Sequence, residues 1–120
     1  MTKLIAHSSG ALTGCTEVPG DKSISHRALI IGAVALGRTT VRGLLEAEDV
    51  LRTVSALTAL GAIIKRSGEE WLIDGVGIGG LTAPEDVIDM GNSGTAARLL
   101  IGLLATHDIR AVVTGDHSLR

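Results

Sequence analysis

Lys22, Ser23 and Arg27 fall within about a turn and a half of helix in the run Pro19-Gly20-Asp21-Lys22-Ser23-Ile24-Ser25-His26-Arg27. Gly20 makes the turn, and Asp21, Lys22 and Ser23 open a helix whose first backbone N–H groups have no partner of their own. A cation, a hydroxyl and free N–H groups together form an anion site. Ser23 and Arg27 stand at i and i+4, so they share a face, and the arginine leans back towards the helix start. The plain structural alternative is that Ser23 only caps and the two cations are solvated.

A second run, Met90-Gly91-Asn92-Ser93-Gly94-Thr95-Ala96-Ala97-Arg98, repeats the logic. Gly94 there lets a ligand approach the backbone closely. Arg98 lies one turn in, free to serve the site or to pair with a buried carboxylate such as Asp89.

Two apparent motifs fail. Lys22-Ser23 looks like the end of a nucleotide P-loop, but Asp21 precedes the lysine and the upstream glycine spacing is wrong. Gly75-Val76-Gly77-Ile78-Gly79-Gly80 contains the dinucleotide string, yet Leu81-Thr82-Ala83-Pro84 cannot open the required helix. The four histidines are scattered, and His26 reads as structural, beside the anion site rather than in it. No Cys/His grouping has metal-ligand spacing.

The elements that must position these residues follow from pattern. Helices are predicted from Asp21-Lys22 through Leu36, from about Glu46 to Leu60 with Gly61 as the stop, and from Asn92-Ser93 to Ala105. Residues 28–36 and 96–105 are apolar almost all round, which places both helices in an interior, with Gly32 and Gly102 where a neighbour could press close. Strands are predicted at Thr39 to Leu44, Ala62 to Arg66, Glu70 to Asp74, Val87 to Met90 and Arg110 to Thr114, with a hairpin around Ser67-Gly68. Gly20 and Gly91, Asp21 and Asn92, Arg27 and Arg98, Leu29 and Leu100, Ile30 and Ile101, and Val41 and Val112 pair at one constant offset. One strand-Gly-helix-strand unit therefore occurs twice, and the second unit reads as breaking off at Arg120.

Composition sets the limits. The 120 residues suffice for one modest core, 45% of them are apolar, and Trp71 is the only aromatic. A net charge of -2 without stacking residues argues against nucleic acid. Cys15 is the only cysteine, and no apolar run is long enough for a signal peptide or membrane span, so a cytoplasmic protein is expected.

The nine residues from Pro19 to Arg27 resemble the N-terminal signature of the 5-enolpyruvylshikimate-3-phosphate synthase family. Gly43-Leu44-Leu45 with Asp49-Val50, the Asp74-Gly75-Val76-Gly77 turn, and Gly91-Asn92-Ser93-Gly94-Thr95-Ala96 with Arg98 follow in the family's order. The resemblance implies an α/β fold of repeated βαβαββ units, with buried helices and outer sheets, incomplete in this chain. Residues 1–20 would belong to the other, missing domain, and residues 21–120 would form a partial N-terminal substrate-binding domain.

It also implies transfer of the enolpyruvyl group of phosphoenolpyruvate to the 5-hydroxyl of shikimate 3-phosphate, without a cofactor. Lys22 is similar to the family's catalytic lysine, which contacts both substrates, and Ser23 and Arg27 are similar to residues that hold shikimate 3-phosphate. Asn92, Gly94 and Thr95, with Lys22, match the phosphoenolpyruvate loop, supported by Asp49 and Arg98. The inhibitor glyphosate occupies that pocket in the family, and insensitive relatives carry alanine at the position of Gly94. The family continues past Gly115-Asp116 to a substrate-binding arginine that this chain does not reach, which leads us to expect an inactive fragment that self-associates or binds the missing C-terminal remainder. Two alternatives stay open: a non-catalytic complementation module of a split enzyme, and a relative of the UDP-N-acetylglucosamine enolpyruvyl transferases, whose signature has asparagine after the lysine.

Overall fold

A computed structural model describes residues 3–120. Met1 and Thr2, part of the segment assigned above to another domain, lie outside the described residues. Residues 3–19 carry no helix or strand, and all of them are exposed.

The ordered body begins where Gly20 presses against the main chain of Gly43 and Leu45; a Cβ on Gly20 would stand 2.0 Å from the Gly43 carbonyl oxygen. Helix α1 (Lys22–Val34) is capped by Asp21, whose carboxylate accepts from the Ile24 N–H at 2.8 Å. Buried Ser25 ties this turn to the next connection: its hydroxyl donates to the Asp21 carbonyl at 2.7 Å and accepts from the Leu45 N–H at 3.0 Å.

Strand β1 (Leu36–Arg42) follows almost at once, then α2 (Glu48–Ala59), β2 (Ile63–Ser67) and β3 (Glu70–Val76). The acidic pair Glu48 and Asp49 complements the positive end of α2, and Gly61, at φ +98°, ends it with the Ala62 N–H returning to the Leu57 carbonyl. β2 and β3 form the expected hairpin over Gly68, and β3 is the central strand of an antiparallel sheet of order β1-β3-β2.

Charge reinforces this register. Arg38 faces Asp74 and Arg42 faces Glu70 directly across β1 and β3; Arg38 binds its carboxylate with two hydrogen bonds of 2.7 and 2.9 Å. Exposed pairs of this kind add little to stability because water screens them, but a slip of one residue would break both.

Trp71 and Ile73 point from β3 to the core side, where Leu29, Ala33, Val50, Leu57, Leu60, Met90 and Leu100 are also buried. Trp71 Nε1 donates to Glu46 at 3.0 Å, and Arg66 binds the same carboxylate at 2.7 Å, so the entry to α2 is fastened to the hairpin.

The second unit is β4 (Ile88–Asp89), α3 (Gly94–Leu104) and β5 (Val113–Thr114), with β4 parallel to β5. Ser93 caps α3 by accepting from the Ala96 N–H. Among the described residues the first unit has no strand before Gly20 to match β4, so the two copies agree in the glycine turn and helix but not in the strand that leads in.

The expectation of helices buried all round is met on one side only. Ile24 and Ile31 of α1 and Ile101 of α3 are exposed at 69%, 64% and 55%. Gly32 does take a close neighbour, since a Cβ there would stand 2.9 Å from Ile73 Cδ1, whereas Gly102 faces open space.

Candidate functional site

The starts of all three helices converge on one open cleft of about 380 Å³, lined by Lys22 from α1, Glu48, Asp49 and Arg52 from α2, and Met90, Asn92 and Ser93 from the turn into α3. Three helix N-termini, each the positive end of a helix dipole, border this region, which favours anions there.

Lys22 stands at the mouth with its side chain about half exposed, and Nζ is paired with Asp49 Oδ2. Asp49 is largely buried. Burial pushes its carboxyl up, but the hydrogen bond and charge of Lys22, together with the Val50 N–H at 3.0 Å, outweigh this and hold it below the usual carboxylate range. Arg52, the second cation, reaches Glu48 at 3.4 Å and Asp89 at 3.7 Å. It also lies against the Gly91 turn, where a Cβ would come within 3.1 Å of its Nε. The cleft lining thus balances two cations, Lys22 and Arg52, against two carboxylates, Glu48 and Asp49, and an incoming anion must draw Lys22 away from Asp49.

Of the residues predicted from sequence, Lys22, Asp49 and Asn92 meet in the cleft. Ser23 and Arg27 share the neighbouring face of α1 as their spacing required: the Arg27 guanidinium folds back and donates to the Ser23 carbonyl at 3.0 Å. Because Asp21 caps the helix, the Ser23 hydroxyl is not consumed as a cap. Gly94 and Thr95 stand in the first turn of α3, off the cleft lining. Arg98 is exposed, and its suggested pairing with Asp89 does not form; Asp89 instead accepts from the Gly91 N–H at 2.8 Å and faces Arg52.

Glu48, Arg52, Met90 and Ser93 also line the cleft, although sequence alone did not single them out as site residues. Arg52 carried a signal, being at i+4 from Glu48 and i+3 from Asp49, and hence on their face.

Beneath Lys22 lies His26, fully buried, with Nδ1 2.8 Å from Thr53 Oγ1 and Nε2 3.8 Å from Asp49 Oδ2. Burial lowers its pKa below the ordinary 6.5, and the charges of Lys22 and Arg27 act in the same direction, while Asp49 opposes them. The unfolded chain therefore takes up this proton at higher pH than the folded one. Stability from this group is complete above about pH 6.5 and falls as pH drops below it, because there the unfolded state binds more protons. The urea midpoint is expected to be higher at about pH 7.5 than at about pH 5.5, with a smaller difference in His26→Gln. An equal difference in the two proteins would show that His26 does not titrate in this way.

Three helices with small sheets beside them, and charged groups gathered at the helix starts, define an α/β domain built around an anion-suited cleft. The chain belongs to the family described as EPSP synthase (3-phosphoshikimate 1-carboxyvinyltransferase), whose model matches residues 6–120. It is 60% identical to the 3-phosphoshikimate 1-carboxyvinyltransferase of Rhodospirillum rubrum over 98% of its own length and 27% of that protein. It is 66% identical to that of Granulibacter bethesdensis over 87% of its length and 23% of the relative. The EPSP synthase structure from Acinetobacter baumannii superposes with a TM-score of 0.82 at 48% identity, covering 88% of this chain and 24% of that one. The chain thus spans about a quarter of the length of the relatives it matches. Among its described residues, no helix is long and apolar enough to cross a membrane.

Proposed function

We infer that the chain supplies one wall of a cytoplasmic enzyme that moves the enolpyruvyl group of phosphoenolpyruvate onto the 5-hydroxyl of shikimate 3-phosphate and releases phosphate. The observation that carries this reading is the meeting of Lys22 and Asn92, from two family motifs far apart in sequence, in one cleft ringed by helix starts. Both substrates bear phosphate and carboxylate groups, so a site that stabilises their charge as it shifts needs preorganised cations and N–H donors. In this reading Ser23 and Arg27 hold shikimate 3-phosphate, Asn92, Gly94 and Thr95 form the phosphoenolpyruvate loop, and Lys22 lies between the two substrates. Asp49 and Arg98 support them.

The test is to assay phosphate release by the chain alone and combined with the part of a full-length relative that it does not span. Activity in the combination and none in the isolated chain is expected. Release by the isolated chain would overturn the shared-wall reading, and no release by a well-folded combination would overturn the assigned reaction.

Glyphosate response adds a sharper measurement. A Cβ on Gly94 meets only Leu119 Cδ2 at 3.4 Å and Arg98 Nη1 at 3.5 Å, ordinary contacts with flexible side chains, so the fold accepts alanine there. The combined enzyme is expected to be glyphosate-sensitive. Gly94→Ala is expected to raise its inhibition constant about ten to two hundred fold, and the KM for phosphoenolpyruvate by less. Equal rises in both constants would remove Gly94 from the pocket.

A further inference from the structure

Lys22 and His26 on α1, and Asp49 and Thr53 on α2, both stand at i and i+4, so each pair shares one helix face. The two faces meet, forming a chain from Thr53 through His26 and Asp49 to Lys22. Two observations make this more than packing. His26 is completely buried, and its Nε2 has no hydrogen-bond partner; the carboxylate nearest to it is Asp49, through the same Oδ2 that receives Lys22.

The single hydroxyl proton of Thr53 favours one tautomer. Its acceptors are His26 Nδ1 at 2.8 Å and the Asp49 carbonyl at a marginal 3.5 Å, so the ring nitrogen is the better one. A neutral imidazole that accepts at Nδ1 carries its proton on Nε2, directed at the carboxylate. The opposite tautomer would set a lone pair of Nε2 facing the carboxylate, two acceptors against each other. The charged groups acting on the ring are Asp49 from α2 and Lys22 and Arg27 from its own helix.

We propose that His26 and Thr53 are positioning residues for Asp49, and that His26 Nε2–H is the standby donor that holds this carboxylate when Lys22 leaves it for an anionic ligand. At 3.8 Å the contact is a charge attracted to an N–H dipole and not yet a hydrogen bond. A closure of about 1 Å makes it one. Without that donor, each departure of Lys22 would strand a largely buried charge, so Lys22 would stay on Asp49 more of the time. The proposal rests on the reading of Lys22 as the cation that meets substrate, but it is tested without turnover.

Nitrogen NMR of the isotope-labelled chain is expected to show His26 as the neutral Nε2–H tautomer at about pH 7. In Lys22→Ala, which imitates departure of the lysine, the Nε2–H proton resonance is expected to move to lower field as the hydrogen bond to Asp49 closes. By carbon NMR, the Asp49 carboxyl titrates at higher pH in His26→Leu than in the parent. His26→Gln, whose amide nitrogen lies about as far along the side chain as Nε2, restores the parent value. A wild-type Nδ1–H tautomer overturns the proposal with no variant needed. So does an unmoved proton in Lys22→Ala, or an Asp49 titration in His26→Leu equal to the parent's. An inactive combined enzyme with these signals intact would count against the proposed function alone.

Discussion

Gly75→Ala is expected to destabilise the chain strongly, with a urea midpoint far below the parent's. A Cβ on Gly75 would stand 2.2 Å from the Ala35 carbonyl oxygen and 2.4 Å from that of Gly32, well inside contact distance of two main-chain atoms. Neither atom can rotate away as a side-chain tip would. Moving β3 would break its ladders with both β1 and β2, because it is the central strand. Moving α1 outward would open a void around Leu29 and Ile73, both fully buried. Overpacking ordinarily costs about 1 to 3 kcal/mol, and a clash with two fixed carbonyls lies at or beyond the top of that range. A small domain holds only about 5 to 15 kcal/mol in total. Gly102→Ala supplies the contrast: nothing lies within 4 Å of a Cβ there and the residue is inside a helix, so stability should rise by about 0.4 to 1 kcal/mol. Urea titration of both variants decides the matter. A Gly75→Ala midpoint equal to the parent's would mean that α1 does not cross β3 as described.

The glycines also show what kind of information the sequence carries. Gly61 was legible as the end of α2 because a helix stop is local: a left-handed residue, a carbonyl to satisfy, an apolar stripe that ends. The hairpin at Gly68 was legible for the same reason. The end of α1 was not. Its apolar residues run on into Ala35 and Leu36, and the first glycine beyond them, Gly37, lies inside β1, so the pattern extended the helix two residues too far and started β1 three residues too late. Gly75 looked like part of a loop, although it lies inside β3 at the point where α1 comes closest. No pattern within the strand reveals which helix will cross it.

The same limit governs the site. Spacing along one helix placed Ser23 with Arg27, and family resemblance placed Lys22 and Asn92 in one function, but neither reveals which carboxylate faces which cation across a tertiary contact. Hence Arg98 was offered Asp89, which in the fold belongs to Arg52, and His26 was set aside as structural although it completes the chain of contacts to Lys22. What the sequence did carry was the i, i+4 repetition on α1 and α2. Its meaning appears only when the two faces are known to meet.

That geometry leads to the expectation that Lys22→Ala, in the enzyme assembled with the part of a full-length relative that the chain does not span, lowers turnover by about a hundred to a thousand fold. Loss of one preorganised charged donor from a site of this kind ordinarily has an effect of that size. Stability should change far less, since the Lys22 side chain is about half exposed and its pair with Asp49 is partly screened by water. Lys3→Ala is the matched control. It removes the same charge from an exposed residue in a segment without helix or strand and should leave turnover unchanged. Lys22→Arg adds a second comparison, because a planar guanidinium keeps the charge but cannot place a compact ammonium between two anionic ligands; partial activity is expected. The measurements are kcat and KM for both substrates in all three variants, with urea midpoints alongside. Equal kcat values for Lys22→Ala and Lys3→Ala would remove Lys22 from the chemistry. A large fall in kcat accompanied by an equally large fall in stability would instead make Lys22 a structural partner of Asp49.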